Sequence, residues 1–367
     1  MTRYAHVTGW GMSVPDRVMT NADIAKLVDT NDAWIQERTG IKERRIAGPE
    51  ETTGSLATAA ALKALDVANI APTELDLIIV ATSSPEHLFP STASIVQDRI
   101  GAVDCGAFDL LAACTGFIYG VSMAAQAIRS GSINNALIIG SETLSRLVNW
   151  KDRGTCILFG DGAGAFVLQG SDEPGGILSS ILRSDGSGAD LLTIPAGGSS
   201  HPASAHTLDN DMHYIQMNGR EVYRFATRVM AKATLQVVAS ANLEMADIDL
   251  IVPHQANFRI INAAARGLKL PLNKFMINVE RYGNTSTASI PIAVCEAFEQ
   301  GRLHQDDKLV LVGFGAGLTW GALAMQWNGP FPGARDIDPN RYRWRARLRS
   351  YYRRLGRKIE GALFDRN

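Results

Sequence analysis

Three polar residues stand at the ends of three separate apolar stretches: Cys114 in FDLLAACTGF, His254 in DLIVPHQAN and Asn284 in NVERYGNTSTAS. A thiol nucleophile with two side-chain hydrogen-bond donors is a set suited to attacking a thioester and then stabilising an enolate, which is carbon–carbon bond chemistry on acyl groups. AACTGFIYGVSMAAQAIRSG reads as a strand-to-helix turn followed by an Ala-rich helix. That places the Cys114 sulfur near a helix N-terminus, where backbone N–H groups and the macrodipole favour a thiolate. Each residue also has an ordinary reading: a small buried hydrophobe, a satisfied structural histidine, a turn-forming asparagine. Cys105, Cys156 and Cys295 read as structural.

The elements that must position these residues are duplicated. ELDLIIVATSS (74–84) corresponds to DIDLIVPHQAN (247–257), and NNALIIGSE (134–142) to DKLVLVGFG (307–315), both at an offset of 173 residues. Two independent segments at one offset argue for duplication. Each unit has an Ala-rich helical stretch, Leu56 to Ala68 and Val222 to Ala241, followed by a β-branched run that reads as a buried strand. The expected organisation is an α/β half over 1–172 carrying the cysteine, a second half over 173–330 carrying His254 and Asn284, and an extension over 331–367. Position 111 is the counterpart of Asn284, so the cysteine and asparagine segments occupy equivalent places in the two halves.

Composition sets the limits. The chain has 367 residues, 46 % hydrophobic and 20 % charged, with a formal net charge of −1. No stretch approaches the roughly 18 consecutive apolar residues of a transmembrane helix, and MTRYAHVTGW lacks a secretory pattern, so a cytoplasmic protein is expected. The four cysteines form no CxxC pair, which argues for reduced thiols. GDGAGA (160–165) fits a dinucleotide pattern, but the strand-like FVLQ follows where that fingerprint needs a helix. His201, His206 and His213 lie in a polar loop at irregular spacing, and no metal is expected.

The motifs WIQERTGIKERRIA (34–47), AACTGF (112–117), DRGTCILFGDGAGA (152–165), PHQANFRI (253–260), GNTSTASIP (283–291) and GFGAGLTWG (313–321) resemble, in order, those of β-ketoacyl-acyl-carrier-protein synthase III, a branch of the thiolase-fold condensing enzymes. The resemblance covers about residues 1–328. It implies a five-layered αβαβα fold, usually a homodimer, no metal or redox cofactor, and a ping-pong reaction initiating fatty-acid synthesis. In it Cys114 takes an acyl group from acyl-CoA. His254 and Asn284 then hydrogen-bond the thioester oxygen of malonyl-acyl-carrier-protein as carbon dioxide leaves, and the backbone N–H groups of Cys114 and Ala316 form the oxyanion hole. Ala316 replaces the glycine often found there. The Cys-His-Asn set separates this branch from the Cys-His-His elongating synthases, and neither the GNTSTAS nor the GFGAG loop holds the second cysteine of degradative thiolases.

Substrate-binding roles follow from the same resemblance. Trp34 and Arg153 match the pair that sandwiches the adenine ring, Arg38 the group near the nucleotide phosphates, and Met217 and Asn257 positions along the pantetheine tunnel. Arg259, with Arg266 nearby, matches the cationic tunnel mouth that meets the acidic carrier protein. Phe89 matches the cap of the acyl pocket across a dimer interface and implies a short primer. The alternative is a related acyltransferase or condensing enzyme of a specialised pathway with another acyl acceptor. Residues 335–367 carry eleven Arg or Lys against four Asp or Glu, behind a Pro/Gly linker. There Trp344, Leu348, Tyr351, Leu355, Ile359 and Ala362 recur at helical spacing. Membrane-surface binding, carrier-protein docking, packing on the acidic body and a solvated tail are the readings of this segment; nucleic-acid binding is not expected.

Overall fold

The computed structural model describes residues 3–330 and 337–364. A five-stranded sheet is built from β1 (Tyr4–Ser13), β2 (Leu77–Ala81), β3 (Gly106–Leu110), β4 (Asn135–Thr143) and β5 (Asp161–Ser171), in the order β1-β5-β4-β2-β3. A second sheet contains β6 (Ile177–Ser184), β7 (Leu250–Pro253), β8 (Lys308–Gly315) and β9 (Thr319–Gln326), in the order β7-β8-β9-β6. The pairing pattern repeats. Strand β2 runs parallel to β3 and β4, with β5 antiparallel to β4 and to β1. In the second sheet β7 runs parallel to β8, with β9 antiparallel to β8 and to β6. Ile251 of β7 makes an isolated parallel bridge to Phe275, the relation that β2 has with β3.

The helices fall into three layers. On the outside of the first sheet lie α1 (Thr53–Ala68) and α2 (Thr92–Ile100); α3 (Gly116–Arg129) lies inside. On the outside of the second sheet lie α4 (Gly219–Ser240) and α5 (Phe258–Leu268); α6 (Ser289–Glu299) lies inside. Strand side chains alternate accordingly: Ile78 and Val80 pack with α1, whereas Ile79 packs with α3. Likewise Val310 and Val312 face α4, while Leu309 and Leu311 face α6. Period-two alternation with both faces buried explains why these strands read as continuous apolar runs. The result is five layers, αβαβα, with α3 and α6 at the centre.

Strands β2 and β4 coincide with β7 and β8 at the 173-residue offset, and Gly116, which opens α3, corresponds to Ser289, which opens α6. The stretch expected as Leu56–Ala68 begins at Thr53, where Thr52 and Ser55 form a capping box, and it ends at Asn69 in the left-handed conformation. All of GDGAGA but Gly160 falls within β5. Gly140 is required for layer packing, because a Cβ there would stand 2.5 Å from the Thr287 carbonyl oxygen at the entrance to α6.

A further helix, α7 (Pro339–Phe364), rests on α2 and α1. Its Ala346 is buried against Gly101, whose φ of 86° ends α2; a side chain at 101 would meet the Tyr342 carbonyl oxygen at 2.9 Å. Among the described residues no helix is long and apolar enough to cross a membrane.

Candidate active site

Cys114 sits in a one-turn helix, Ala113–Thr115, that leads straight into α3. Thr115, the N-cap of α3, makes no side-chain capping hydrogen bond because its hydroxyl turns back to Ala112 O, so the first-turn N–H groups lack that partner. Ala113 before the sulfur and Ser286 across from it both adopt left-handed backbone, with φ of 46° and 49°. Such conformations cost about 1–3 kcal/mol each and persist where surrounding packing imposes them. Ser286 Oγ donates to Cys114 Sγ at 3.3 Å.

The thiol departs from the thiolate expected of a helix N-terminus. Burial pushes Cys114 up to about 12; the Ser286 hydroxyl pulls it down, and the nearby Glu142 charge pushes it further up. Desolvation of a buried sulfur outweighs a screened end-of-helix dipole, so the buried site favours a neutral thiol.

His254 lies just past the end of β7, its backbone N–H donating to Val312 O at 2.8 Å. Its Nδ1 is 2.6 Å from Ser289 Oγ, which also accepts the Gln255 backbone N–H at 3.3 Å. Among the described residues Nδ1 is the acceptor within reach of the Ser289 hydroxyl hydrogen, so Ser289 donates to Nδ1 while accepting from Gln255, which leaves the proton on Nε2. Nε2 is buried with no hydrogen-bond partner among the described residues. Burial lowers the imidazole to about 3, so the ring is a neutral donor.

Asn284 is oriented by the same logic. Its Oδ1 accepts the Ser286 backbone N–H at 2.8 Å, which assigns the amide and turns Nδ2 into the group able to serve a ligand. The loop is tied to the first half by Asn284 N–H to Leu158 O, 2.8 Å, and Gly160 N–H to Asn284 O, 3.0 Å.

A cavity of about 670 Å³ runs past Trp34, Arg38, Met217, Asn257 and Arg259 to Cys114, His254 and Asn284. A second, mainly apolar cavity of about 470 Å³ meets Cys114 from the other side, between Leu144, Leu147, Leu192, Ile194 and Ile215. Ala316 borders this second cavity. It lies outside the left-handed region; the neighbouring Gly317 takes φ 133° instead, so alanine at 316 carries no backbone penalty. Gly315 must lack a side chain, because a Cβ there would crowd the Cys114 nitrogen at 2.8 Å. Thr319 Oγ1 donates to Ala316 O at 3.0 Å and lies 2.8 Å from Thr115 Oγ1, linking the GFGAG loop to the cysteine turn.

The outer residues are arranged differently from one another. Both Arg38 and Arg153 place their guanidinium carbons 4.6 Å from the Trp34 ring centroid, so an adenine entering between Trp34 and Arg153 has to displace a guanidinium. Asn257 caps α5: its Oδ1 accepts from Arg259 N–H and its Nδ2 donates to Arg38 O, which engages the amide with the protein itself. Arg259 stacks over Tyr223 at 5.5 Å, and Arg266 is exposed two turns further along α5. Phe89 is 87 % exposed and borders neither cavity of its own chain.

Three kinds of residue were missed by sequence reasoning. Ser286 and Ser289 lie inside the GNTSTAS segment, where a hydroxyl one helical turn from another gave no distinguishing signal. Arg220 and Arg224, on the first turns of α4, line the large cavity. Glu142 is fully buried at the end of β4, accepting from Ser83 N–H at 3.1 Å and Ser84 Oγ at 2.5 Å, and burial raises it to about 7. A charged residue closing the apolar run ALIIGS was the available clue, the same one that marked His254.

Two family models match the chain: 3-oxoacyl-[acyl-carrier-protein (ACP)] synthase III over residues 108–186 and its C-terminal counterpart over 238–327. The β-ketoacyl-[acyl-carrier-protein] synthase III of Desulfitobacterium hafniense is 54 % identical over 322 residues, 88 % of this chain and 97 % of that protein. That of Roseiflexus sp. is 50 % identical over 327 residues, 89 % and 99 %. The crystal structure of 3-oxoacyl-[acyl-carrier-protein] synthase III from Aquifex aeolicus superposes with a TM-score of 0.81 at 45 % identity, covering 88 % of this chain and 100 % of that one. The five layers are thus those of the thiolase fold shared by condensing enzymes. Within that class, the chain belongs to the β-ketoacyl-[acyl-carrier-protein] synthase III family.

Proposed function

We propose that this enzyme joins an acyl-CoA primer to malonyl-acyl-carrier-protein with loss of carbon dioxide, giving a β-ketoacyl-carrier protein and initiating fatty-acid synthesis. The observation that carries this reading is that Cys114 borders both a long cavity with a polar mouth and a mainly apolar one, with His254 and Asn284 on the wall of the first.

Cys114 is the nucleophile. As its sulfur bonds to the acyl carbon, the oxyanion is held by the backbone N–H groups of Cys114 and Ala316, and the thiol proton leaves with CoA. The acyl chain lies in the apolar cavity. Malonyl-carrier protein then brings its pantetheine arm through the long cavity. As carbon dioxide departs, Nε2 of His254 and Nδ2 of Asn284 donate to the enolate oxygen, and the carbanion attacks the acyl-Cys114 carbonyl and releases the sulfur as a thiolate, which takes a proton from water to restore the thiol. A neutral imidazole suits this role, since it donates a hydrogen bond without needing to change charge. No metal or redox cofactor enters this scheme; acyl-CoA and malonyl-carrier protein are substrates.

In the same reading residues 1–172 and 173–330 are the two halves of the duplicated fold. Trp34, Arg38 and Arg153 hold the nucleotide, Met217 and Asn257 flank the pantetheine, and Arg259 and Arg266 meet the carrier protein. Two chains associate through the edge strand β3, next to which Leu88, Phe89 and Leu111 are exposed apolar side chains. Phe89 then reaches the partner's acyl cavity and favours a short primer. A cytoplasmic setting keeps the four thiols reduced.

Intact-protein mass spectrometry after incubation with a panel of acyl-CoAs tests the proposal, comparing wild type with Cys114→Ser and then adding malonyl-carrier protein. Loading at Cys114 followed by discharge as a β-ketoacyl product is expected. Loading without that discharge would assign another acyl acceptor, and absence of loading would remove Cys114 as nucleophile.

A further inference from the structure

Helix α7 is amphipathic in the reverse sense for a helix resting on a protein. At 3.6 residues per turn, Tyr342, Ala346, Arg349 and Ser350 share one face, and that face is turned to the body: Ala346 is buried and Ser350 Oγ donates to Asp98 of α2. Trp344, Leu348, Tyr351, Tyr352, Leu355 and Ile359 form a stripe roughly 100° wide on the opposite side. All six are exposed, Trp344 at 64 % and Tyr352 at 65 %. A helix held by hydrophobic burial against its own domain would turn this stripe inward.

The stripe is bordered by cations on both sides. Arg345 flanks it on one edge and Arg347, Arg354 and Lys358 on the other, with Arg341 in line with the stripe at its N-terminal end; over Pro339–Phe364 nine Arg or Lys stand against the single Glu360. Pairing with the same helix of a second copy would set these like charges against one another across the seam. An apolar stripe rich in Trp and Tyr between two rows of cations matches instead the boundary between acyl chains and anionic headgroups. Attachment to the body through Asp98, which also lies 3.8 Å from Arg354, leaves the outward stripe free to meet such a surface.

We propose that α7 docks the enzyme on an anionic phospholipid surface, with Trp344, Leu348, Tyr351 and Leu355 entering the acyl boundary and the flanking arginines meeting headgroup phosphates. The proposal is independent of the condensation chemistry.

Sedimentation of the full-length protein with vesicles tests it, using phosphatidylcholine alone against phosphatidylcholine with about 30 % phosphatidylglycerol. The anionic vesicles should pellet wild type at physiological salt and the neutral vesicles should not. Trp344→Ser/Tyr351→Ser/Leu355→Ser, which leaves the charge unchanged, should weaken binding at least about tenfold, and so should Arg345→Glu/Lys358→Glu, which leaves the stripe unchanged. Cys114 loading by acyl-CoA verifies that each variant is folded. Equal pelleting of wild type and the stripe variant would overturn the proposal, because charge alone would then account for binding. So would a failure of anionic vesicles to pellet wild type, whether or not tRNA or carrier protein bound the helix in their place.

Discussion

Ser289 Oγ stands 2.6 Å from Nδ1 of His254 while accepting the Gln255 backbone N–H, so a serine at the first position of α6 sets which nitrogen of the imidazole carries the proton. In Ser289→Ala that constraint is gone and Nδ1–H becomes accessible to the ring. Decarboxylation of malonyl-carrier protein should fall roughly 10- to 100-fold, whereas acylation of Cys114 by acyl-CoA should keep its rate. Ser289→Thr should recover most of the loss. Equal slowing of both half-reactions would mean that Ser289 supports the site only structurally.

Glu142 gives a pH signature in stability. Burial raises its carboxyl from 4.5 to about 7, so the fold favours the protonated form. The associated stability is fully present below about pH 4.5 and is lost as pH rises through about 7, amounting to ~3 kcal/mol by linkage. Urea unfolding of wild type should show this decline, and Glu142→Gln, neutral throughout, should lack it. Parallel pH profiles for the two proteins would contradict the assignment.

The opposite sign applies to His254, lowered to about 3 by burial. Its contribution is present above the unfolded value of 6.5 and is lost as pH falls toward 3. Across pH 6–8 the ring stays neutral, so the decarboxylation step should show no acid limb near 6.5. A limb there that disappears in His254→Ala would show the ring titrating in the normal range.

These assignments show how far the residues alone could lead. The apolar runs of β2, β4, β7 and β8 were legible because strands buried on both faces carry little but aliphatic residues, and the common offset gave the duplication. Cys114, His254 and Asn284 were visible because a polar group ending such a run is conspicuous. Ser289 and Ser286 were not, since their significance depends on a contact with a ring and a sulfur from distant strands and loops. The Cys114 thiolate failed for a related reason: a sequence locates a helix N-terminus but not the depth at which the turn is buried.

Gly140→Ala should show how tightly the layers fix the site. Its new Cβ would press the Thr287 carbonyl oxygen from 2.5 Å, displacing the loop between Asn284 and Ser289. A loss of about 1–3 kcal/mol in stability is expected, with both half-reactions slowed. Normal thermal unfolding together with normal turnover would show that the loop can yield there.

Nucleotide binding should divide the kinetic constants. Trp34→Ala removes the ring against which Arg38 and Arg153 both rest, so KM for acyl-CoA should rise about tenfold with kcat little changed. A short acyl thioester lacking the nucleotide should be unaffected by the substitution. Equal effects on both substrates would place Trp34 in the scaffold rather than in nucleotide recognition.

Cys114 borders two cavities, and that imposes an order of traffic. A chain bound to its sulfur can stay parked among Leu144, Leu192 and Ile215 while the passage lined by Met217 and Asn257 empties and fills again. In the proposed reaction one pantetheine arm leaves this passage before another comes up to the same sulfur. In that scheme the two thioester donors take turns in one passage while the acyl chain waits in the other cavity.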